Sequence, residues 1–528
     1  MASYGAPIFG TVTAPNPLVH TQYGPVLGES RDGIAVFRGI PYGGSCDGEA
    51  RFFPPSPPRP WQKPLDCTRN GLCAVQLGMS IGAAPGLGPY FSGGHPERFG
   101  VLEETQGENC LVLNVVTPGL EQSKRPVVVY LHGGGFSTGS GSLVIGADGW
   151  AREEDLVIVG VNHRLNALGY LYLGYLSDAY ALSGNAGMLD LVLALEWVRD
   201  NISSFGGDPE KVTIMGESGG GMKVSALLSM ECASGLFHQA IVESGSAPTM
   251  AHSKEQAALI TRRILEQLGL KEKDWRQLFI LPALELAKAS AFEGEEKVCP
   301  VGDDILIPYD PSAGYSLPAC ARHIPLMVGA SEDELAVFAP PEAFTLNWET
   351  LPHFLVKSSQ NQQKPWSLET ARKLIQLFQD TSSTPQDPSH LYFSIVSLAS
   401  FLGGGAYCQA TAKAGQKGAQ VFHYAIEYDA PLPDRPGVNC AWHTADLPLQ
   451  MRVVLHPEME SLSRQMAHAW AAFIRTGSPS TSALPWPPFT PEDTCTMVFD
   501  HTCSVRQDPW QTRRKALAEI GILPGVQI

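Results

Sequence analysis

Short apolar runs of strand length recur between residues 126 and 243, separated by segments of helical length, and this alternation is what most restricts the chain's fold. The runs are PVVVYLH, LVIVGVN, VTIMG and AIVES, with PLMVGA and QVFHYAIE much later. A strand buried on both faces reads as a continuous apolar run, and strands joined through helices lie parallel. The expectation is an α/β fold with a large, mostly parallel sheet flanked by helices. Residues 187–201 (GMLDLVLALEWVRDN) are apolar nearly all round, as a crossover helix sandwiched in the core must be. Residues 255–290 and 367–380 read as more amphipathic helices.

Composition removes several functions. With 37 Lys+Arg against 53 Asp+Glu the net charge is −16, whereas a protein that grips a phosphate backbone needs clustered positive charge, so no nucleic-acid partner is expected. Hydrophobic residues at 44 % supply a large core and exclude disorder as the main state. No apolar run approaches the roughly 18 residues of a membrane span. The opening MASYGAPIFGTVTAP lacks the basic and apolar regions of a secretory signal, so a cytoplasmic location is expected, with secretion the alternative if that start is not native. The 11 cysteines are too scattered for a disulfide scaffold or for zinc-site spacing, and their odd number leaves at least one without a partner in the chain. The Pro-rich stretch 53–64 and the polar stretches 358–364 and 381–388 read as surface loops.

Two G-x-S-x-G matches occur, around Ser137 and around Ser218, and with 53 glycines in 528 residues one chance match is unsurprising. Context separates them. A nucleophile elbow needs a strand before the serine and a helix after it, so that the hydroxyl is exposed on a strained turn. Only Ser218, between VTIM and the apolar stretch GMKVSALLSM, has both. Ser137 follows a triple glycine and leads into Gly/Ser-rich sequence, as a turn residue does. Leu131-His132-Gly133-Gly134-Gly135-Phe136 directly follows the strand PVVVY, and glycines there let backbone N–H groups approach a ligand closely. Gly134, Gly135 and Gly219 are therefore the candidate oxyanion-hole donors.

A serine hydroxyl needs a histidine base, and the histidine needs an acid that fixes its tautomer. After the strand IPLMVGA comes Ser331-Glu332-Asp333-Glu334, where a carboxylate at a strand's C-terminal end faces the crevice of such a sheet. Glu334 is the first choice and Asp333 the second. Beyond that loop lie His390, His423, His443, His456, His468 and His501. His443, in Cys440-Ala-Trp-His443-Thr-Ala-Asp446, follows a strand and a Pro-rich loop, as a base at a strand end should. Phe136 and Trp442, if they face the site, favour apolar acyl or alcohol groups.

Taken together these residues resemble the type B carboxylesterase/cholinesterase family. The matching segments are Phe37-Arg-Gly-Ile-Pro-Tyr42, Glu108-Asn-Cys-Leu-Val-Leu-Asn-Val115, HGGGF, Asn162-His-Arg-Leu165, Gly184-Asn-Ala-Gly187, Phe205-Gly-Gly-Asp-Pro209, GESGGG and the late histidine. The resemblance implies one α/β-hydrolase domain over residues 1–528, with catalytic Ser218, Glu334 and His443 and the same three oxyanion glycines. It implies supporting roles for Glu217 and Ser244, and a Cys73–Cys110 disulfide, which sits uneasily with a reducing cytoplasm. Four positions depart from the family's usual residue: Gly219 for Ala, Asn109 for Asp, His163 for Tyr and Leu335 for Gly. Asn201-Ile-Ser203 fits a glycosylation sequon but ends the core helix, so it is read as chance.

The implied activity is hydrolysis of a small-molecule carboxylic ester through an acyl-serine, with no metal and no cofactor required. The alternatives are an acyltransferase or thioesterase using the same acyl-serine, or a non-catalytic binding protein built on the same fold. Pocket shape chooses the acyl acceptor, and neither that nor oligomeric state is written in local sequence.

Overall fold

The computed structural model describes residues 16–77, 105–121, 123–246, 251–292, 297–308, 314–360, 365–381, 387–433, 435–454 and 456–522. Of the loop stretches singled out by sequence, residues 361–364 and 382–386 lie outside these.

The strands of the main sheet are β1 (Glu29–Arg31), β2 (Ile34–Pro41), β3 (Val112–Thr117), β4 (Arg125–Leu131), β5 (Val157–Val161), β6 (Gly207–Glu217), β7 (Gln239–Glu243), β8 (Leu326–Ser331), β9 (Val421–Ile426), β10 (Cys495–Phe499) and β11 (Ser504–Gln507). Among the described residues they form one 11-stranded sheet in the order β11-β10-β9-β8-β7-β6-β4-β5-β3-β2-β1. From β10 across to β5 all neighbours pair in parallel, while β11 at one edge and β3, β2 and β1 at the other run antiparallel.

The apolar runs explain why the sheet is covered on both faces. Successive side chains of a strand point to opposite faces. In β4, Val127, Val129 and Leu131 join one hydrophobic cluster, while Val128 and Tyr130 join the other. In β8, Leu326, Val328 and Ala330 divide from Met327 in the same way. Helices α1 (Ala186–Asn201), α2 (Gly219–Leu227) and α3 (Phe401–Gly415) cover the first face, and α4 (Glu460–Thr476) covers the second through Met466, Trp470 and Phe473.

The helical run Asp178–Phe205 has the length and apolar character of a membrane span, which corrects the expectation that no segment reaches it, yet the run is mostly buried within the protein. Its one interior carboxylate there, Asp190, accepts from the Arg164 guanidinium at 2.6 Å with both side chains almost fully buried. That pairing suits a core crossover. Asn201, at the end of α1, is also buried, accepting from the Gln22 amide at 2.8 Å and donating to the Trp197 carbonyl at 2.9 Å, so the sequon's side chain is engaged inside the protein.

The expected Cys73–Cys110 bridge is not formed: Cys110 carries a free, buried thiol. The main chain at Cys73 pairs with Gln106 rather than Cys110, and the Cys110 thiol lies in a buried group with Cys46 and the Arg164–Asp190 pair, where burial pushes its pKa upward.

Candidate active site

The strand–turn–helix expected around Ser218 is present. β6 ends at Glu217, Ser218 takes φ +56° and ψ −124°, and α2 begins at Gly219. A non-glycine residue with positive φ is strained by about 1–3 kcal/mol and persists only where its surroundings over-determine it. Here the Ser218 amide donates to the Glu243 carbonyl at 2.9 Å, and the Ser218 carbonyl accepts from the Met222 amide at 3.0 Å. Ser218 remains partly exposed while Glu217 and Gly219 on either side are buried. By contrast Ser137 lies in a turn, its amide donating to the Gly134 carbonyl at 3.2 Å, as its sequence context indicates.

The glycine loop after β4 packs directly against this elbow. Gly134 and Gly135 adopt φ +82° and +62°, so the backbone there is in the left-handed region that glycine tolerates. A β-carbon on Gly219 would lie 2.3 Å from the Gly135 amide nitrogen. Contact that close explains glycine where the family commonly has Ala. The glycine loop thus meets the N-terminal end of α2 where Gly135 approaches Gly219, and the first amides of a helix have no intrahelical acceptor.

The acidic loop after β8 distributes its three carboxylates in three directions. Glu332 pairs with Arg513 at 2.6 Å. Asp333, the second choice of acid, accepts from the Ser394 hydroxyl at 2.8 Å and sits 2.9 Å from His390 Nε2. Asp333 and Glu334 are both buried, but only Glu334 turns to His443. Its Oε2 is bonded to His443 Nδ1, while its Oε1 accepts from Ser244 Oγ at 2.5 Å and from the Ser331 amide at 2.7 Å. Ser244 is fully buried and itself has φ +45°, which places its hydroxyl beneath the carboxylate.

His443 Nε2 points back toward the elbow, 3.2 Å from Glu217 Oε1. The angles there make no hydrogen bond, and both atoms are buried without a hydrogen-bond partner. Nε2 is therefore an unpartnered ring nitrogen next to Glu217, the residue before Ser218; bonds from such a site are commonly long or poorly aligned until substrate tightens them. Four of the other five late histidines are engaged elsewhere, His423 with Thr496 at 2.9 Å, His468 with Glu154 at 3.2 Å and His390 with Asp333, while His501 packs edge-on to Tyr428; the fifth, His456, is exposed.

A group of buried acids surrounds the histidine. Burial pushes Glu217 well above the usual carboxylate range, helped by Asp446, Glu334 and Glu243. Burial likewise raises Asp446 to about 7. Glu243 accepts from Trp470 Nε1 at 2.6 Å and from Gln450 Nε2 at 3.0 Å. Crowded carboxylates in a dry site hold protons that solvated ones release.

Two residues of the site escape the sequence reading. Phe338 sets its ring 5.3 Å from that of His443 and is 42 % exposed, so it is the aromatic surface at the mouth of the site. Phe136 and Trp442, named from sequence, are instead almost completely buried. The other is Lys223, the one charge in the apolar stretch GMKVSALLSM; its isolation among apolar residues was the available signal.

The motif residues outside the centre act as pins. Arg51 and Glu108 form a two-pronged ion pair at 2.6 and 2.7 Å. Asn162 accepts from the Gly141 amide at 2.6 Å. Asn109, in place of the usual Asp, still accepts from the Cys46 amide at 2.9 Å, and Leu335 gives its amide to Ser397 Oγ at 2.9 Å.

Comparison with known proteins places this geometry. The model of the carboxylesterase family matches residues 15–516. The chain is 33 % identical to the para-nitrobenzyl esterase of Bacillus subtilis, covering 95 % of this chain and 98 % of that one. It is 29 % identical to the phenmedipham hydrolase of Pseudarthrobacter oxydans, covering 93 % and 97 %. Among solved structures it is similar to a para-nitrobenzyl esterase, with TM-score 0.77, 31 % identity and coverage of 95 % and 99 %. The carboxylesterase of Geobacillus stearothermophilus is similar too, at TM-score 0.75, 31 % identity and coverage of 94 % and 99 %. With its α/β-hydrolase sheet, its strained elbow serine and this likeness over nearly its whole length, the chain belongs to the carboxylesterase family and is a carboxylic ester hydrolase.

Proposed function

We propose that the chain hydrolyses small-molecule carboxylic esters through an acyl-enzyme on Ser218. His443 is the base, Glu334 its orienting carboxylate, and the amides of Gly134, Gly135 and Gly219 the oxyanion hole, all within one domain that runs the length of the chain. The observation that carries this reading is the bond from His443 Nδ1 to Glu334 beside the strained elbow. With Nδ1–H donating to a carboxylate, Nε2 keeps its lone pair for the serine proton.

The steps follow. Ser218 Oγ attacks the ester carbonyl as its proton passes to His443 Nε2, and the carbonyl oxygen becomes an oxyanion held by the three amides. Glu334, itself held by Ser244, stabilises the imidazolium. The C–O bond to the alcohol breaks and His443 returns the proton to the leaving alkoxide. Water, deprotonated by His443, then attacks the acyl-serine, releasing the acid and restoring the hydroxyl. Every proton is handled by a side chain, so these steps call for neither metal nor cofactor. The exposed ring of Phe338 favours apolar groups beside the scissile bond.

An activated para-nitrophenyl or para-nitrobenzyl ester is a suitable first probe, the latter suggested by the Bacillus relative's name. Ser218→Ala is expected to lower turnover by about a million-fold. Retained hydrolysis by a clean preparation of that variant would overturn the assignment.

A further inference from the structure

Lys223 projects from α2 into the interior, is fully buried, and forms no ion pair with a carboxylate among the described residues. Its Nζ donates instead to two carbonyls of the glycine loop, His132 at 3.0 Å and Gly135 at 2.7 Å, and lies 5.4 Å from the centre of the Phe136 ring. A buried charge in contact with carbonyl dipoles and an aromatic face, without a carboxylate at ion-pair distance, is expensive to keep. The carbonyls it holds flank the peptides whose amides are assigned to the oxyanion hole, and the Gly135 backbone is the part of the loop that touches Gly219.

We propose that Lys223 is a positioning residue for the oxyanion hole: its ammonium clamps the glycine loop onto the start of α2 and places a positive charge directly behind the amides that receive the oxyanion. The inference rests on the Ser218 reading above and names a device the sequence did not suggest. Charge fixed in a dry site before the reaction stabilises the transition state without reorganisation. Because the ground-state ester carries no such charge, the benefit belongs to the transition state.

The clamp also carries a pH dependence. Burial lowers the Lys223 ammonium to about 7, with Glu217 acting in the opposite direction. The groups facing it are Glu217 from β6, His132 from the glycine loop and His163 from the segment after β5, the two imidazoles stacked 4.8 Å apart. Burial, then Lys223 itself, pushes both imidazoles down, His132 to about 3 and His163 well below its ordinary range, so neither is charged near neutrality. Arg164 beside them is bound by Asp190, and Glu243 on β7 by Trp470 and Gln450. The ammonium is therefore present at lower pH and lost as pH rises through and above about 7.

The test uses Lys223→Met, which keeps length and removes charge, and a trifluoromethyl ketone, whose hemiketal on a serine is oxyanionic. Compared with wild type, the variant should lose on the order of tenfold or more in kcat and in ketone affinity, with KM moving less than about threefold. The decline in wild-type kcat/KM on the alkaline side should vanish in the variant. Unchanged kcat, ketone affinity and pH profile in a folded variant would overturn the proposal. Should the variant not fold, wild-type ketone affinity decides: it must weaken from pH 7 to pH 9, and a flat profile overturns the proposal equally. Ser218→Ala is assayed alongside. If it remains active the catalytic reading itself fails, whereas a silent serine variant with a wild-type-like Lys223→Met removes only the lysine's role.

Discussion

At the scale of single residues, the site depends on the direction each side chain takes from a short loop. Glu332, Asp333 and Glu334 are chemically near-equivalent neighbours, yet they end on Arg513, His390 and His443 respectively. The two inner acids should therefore separate cleanly when neutralised. Glu334→Gln is expected to lower kcat by roughly 10⁴-fold while leaving thermal stability near that of wild type, because the imidazole loses its tautomer control. Asp333→Asn should retain turnover per folded molecule and lose stability, by about 3 kcal/mol for a broken buried pair. For His390, burial alone lowers the imidazolium, but Asp333 outweighs it and brings it to about 10. A folded value above the unfolded one means the stabilisation is fully present below about 6.5 and lost as pH rises through about 10. The deficit of Asp333→Asn in a chemical-denaturation midpoint should accordingly be largest at pH 6 and shrink toward pH 10.

At the scale of elements, the junction of β6, α2 and the glycine loop is built for contact between backbones. Three successive glycines weaken the start of a helix, each costing up to about 1 kcal/mol relative to alanine. In return the first turn of α2 crosses β4 so closely that a β-carbon on Gly220 would lie 1.9 Å from the Leu131 carbonyl, and one on Gly219 would press on the Gly135 backbone. Exchanging Gly219 for Ala leaves its own N–H in place, but here it must push the glycine loop away. We expect Gly219→Ala to reduce kcat by about tenfold or more, with a smaller effect on KM, when progress curves for an activated ester are compared with wild type. A kcat equal to wild type would mean that the loop yields without moving its amides.

At the scale of the whole molecule, the two faces of the sheet are sealed by helices, and the catalytic loops hang from strand ends that this packing fixes. The Arg164–Asp190 pair joins the segment after β5 to α1, and Arg164 also donates to the Phe53 carbonyl at 2.8 Å, tying the N-terminal region to the crossover. Asp190→Asn should cost about 3 kcal/mol or more by leaving the guanidinium buried beside a neutral amide, read as a lowered denaturation midpoint. Turnover of the remaining folded protein should persist, since neither side chain touches the reacting groups.

What sequence determined by itself was local in origin: the apolar runs and their two-sided burial, the core helix over 187–201, and the elbow at Ser218 against the turn at Ser137. Each follows from the periodicity or backbone demands of a few consecutive residues. Sequence nominated His443 from its strand-end context and the family resemblance, but only the tertiary structure brings it to Glu334, 109 positions away along the chain. Tertiary structure also decided that Phe338 rather than Phe136 or Trp442 is exposed there, that Cys110 stays a thiol, and that the Lys223 ammonium ends on the His132 and Gly135 carbonyls. Contacts of that kind depend on where distant strands terminate and how their helices pack, and no local pattern encodes the angle at which a side chain leaves the end of a strand.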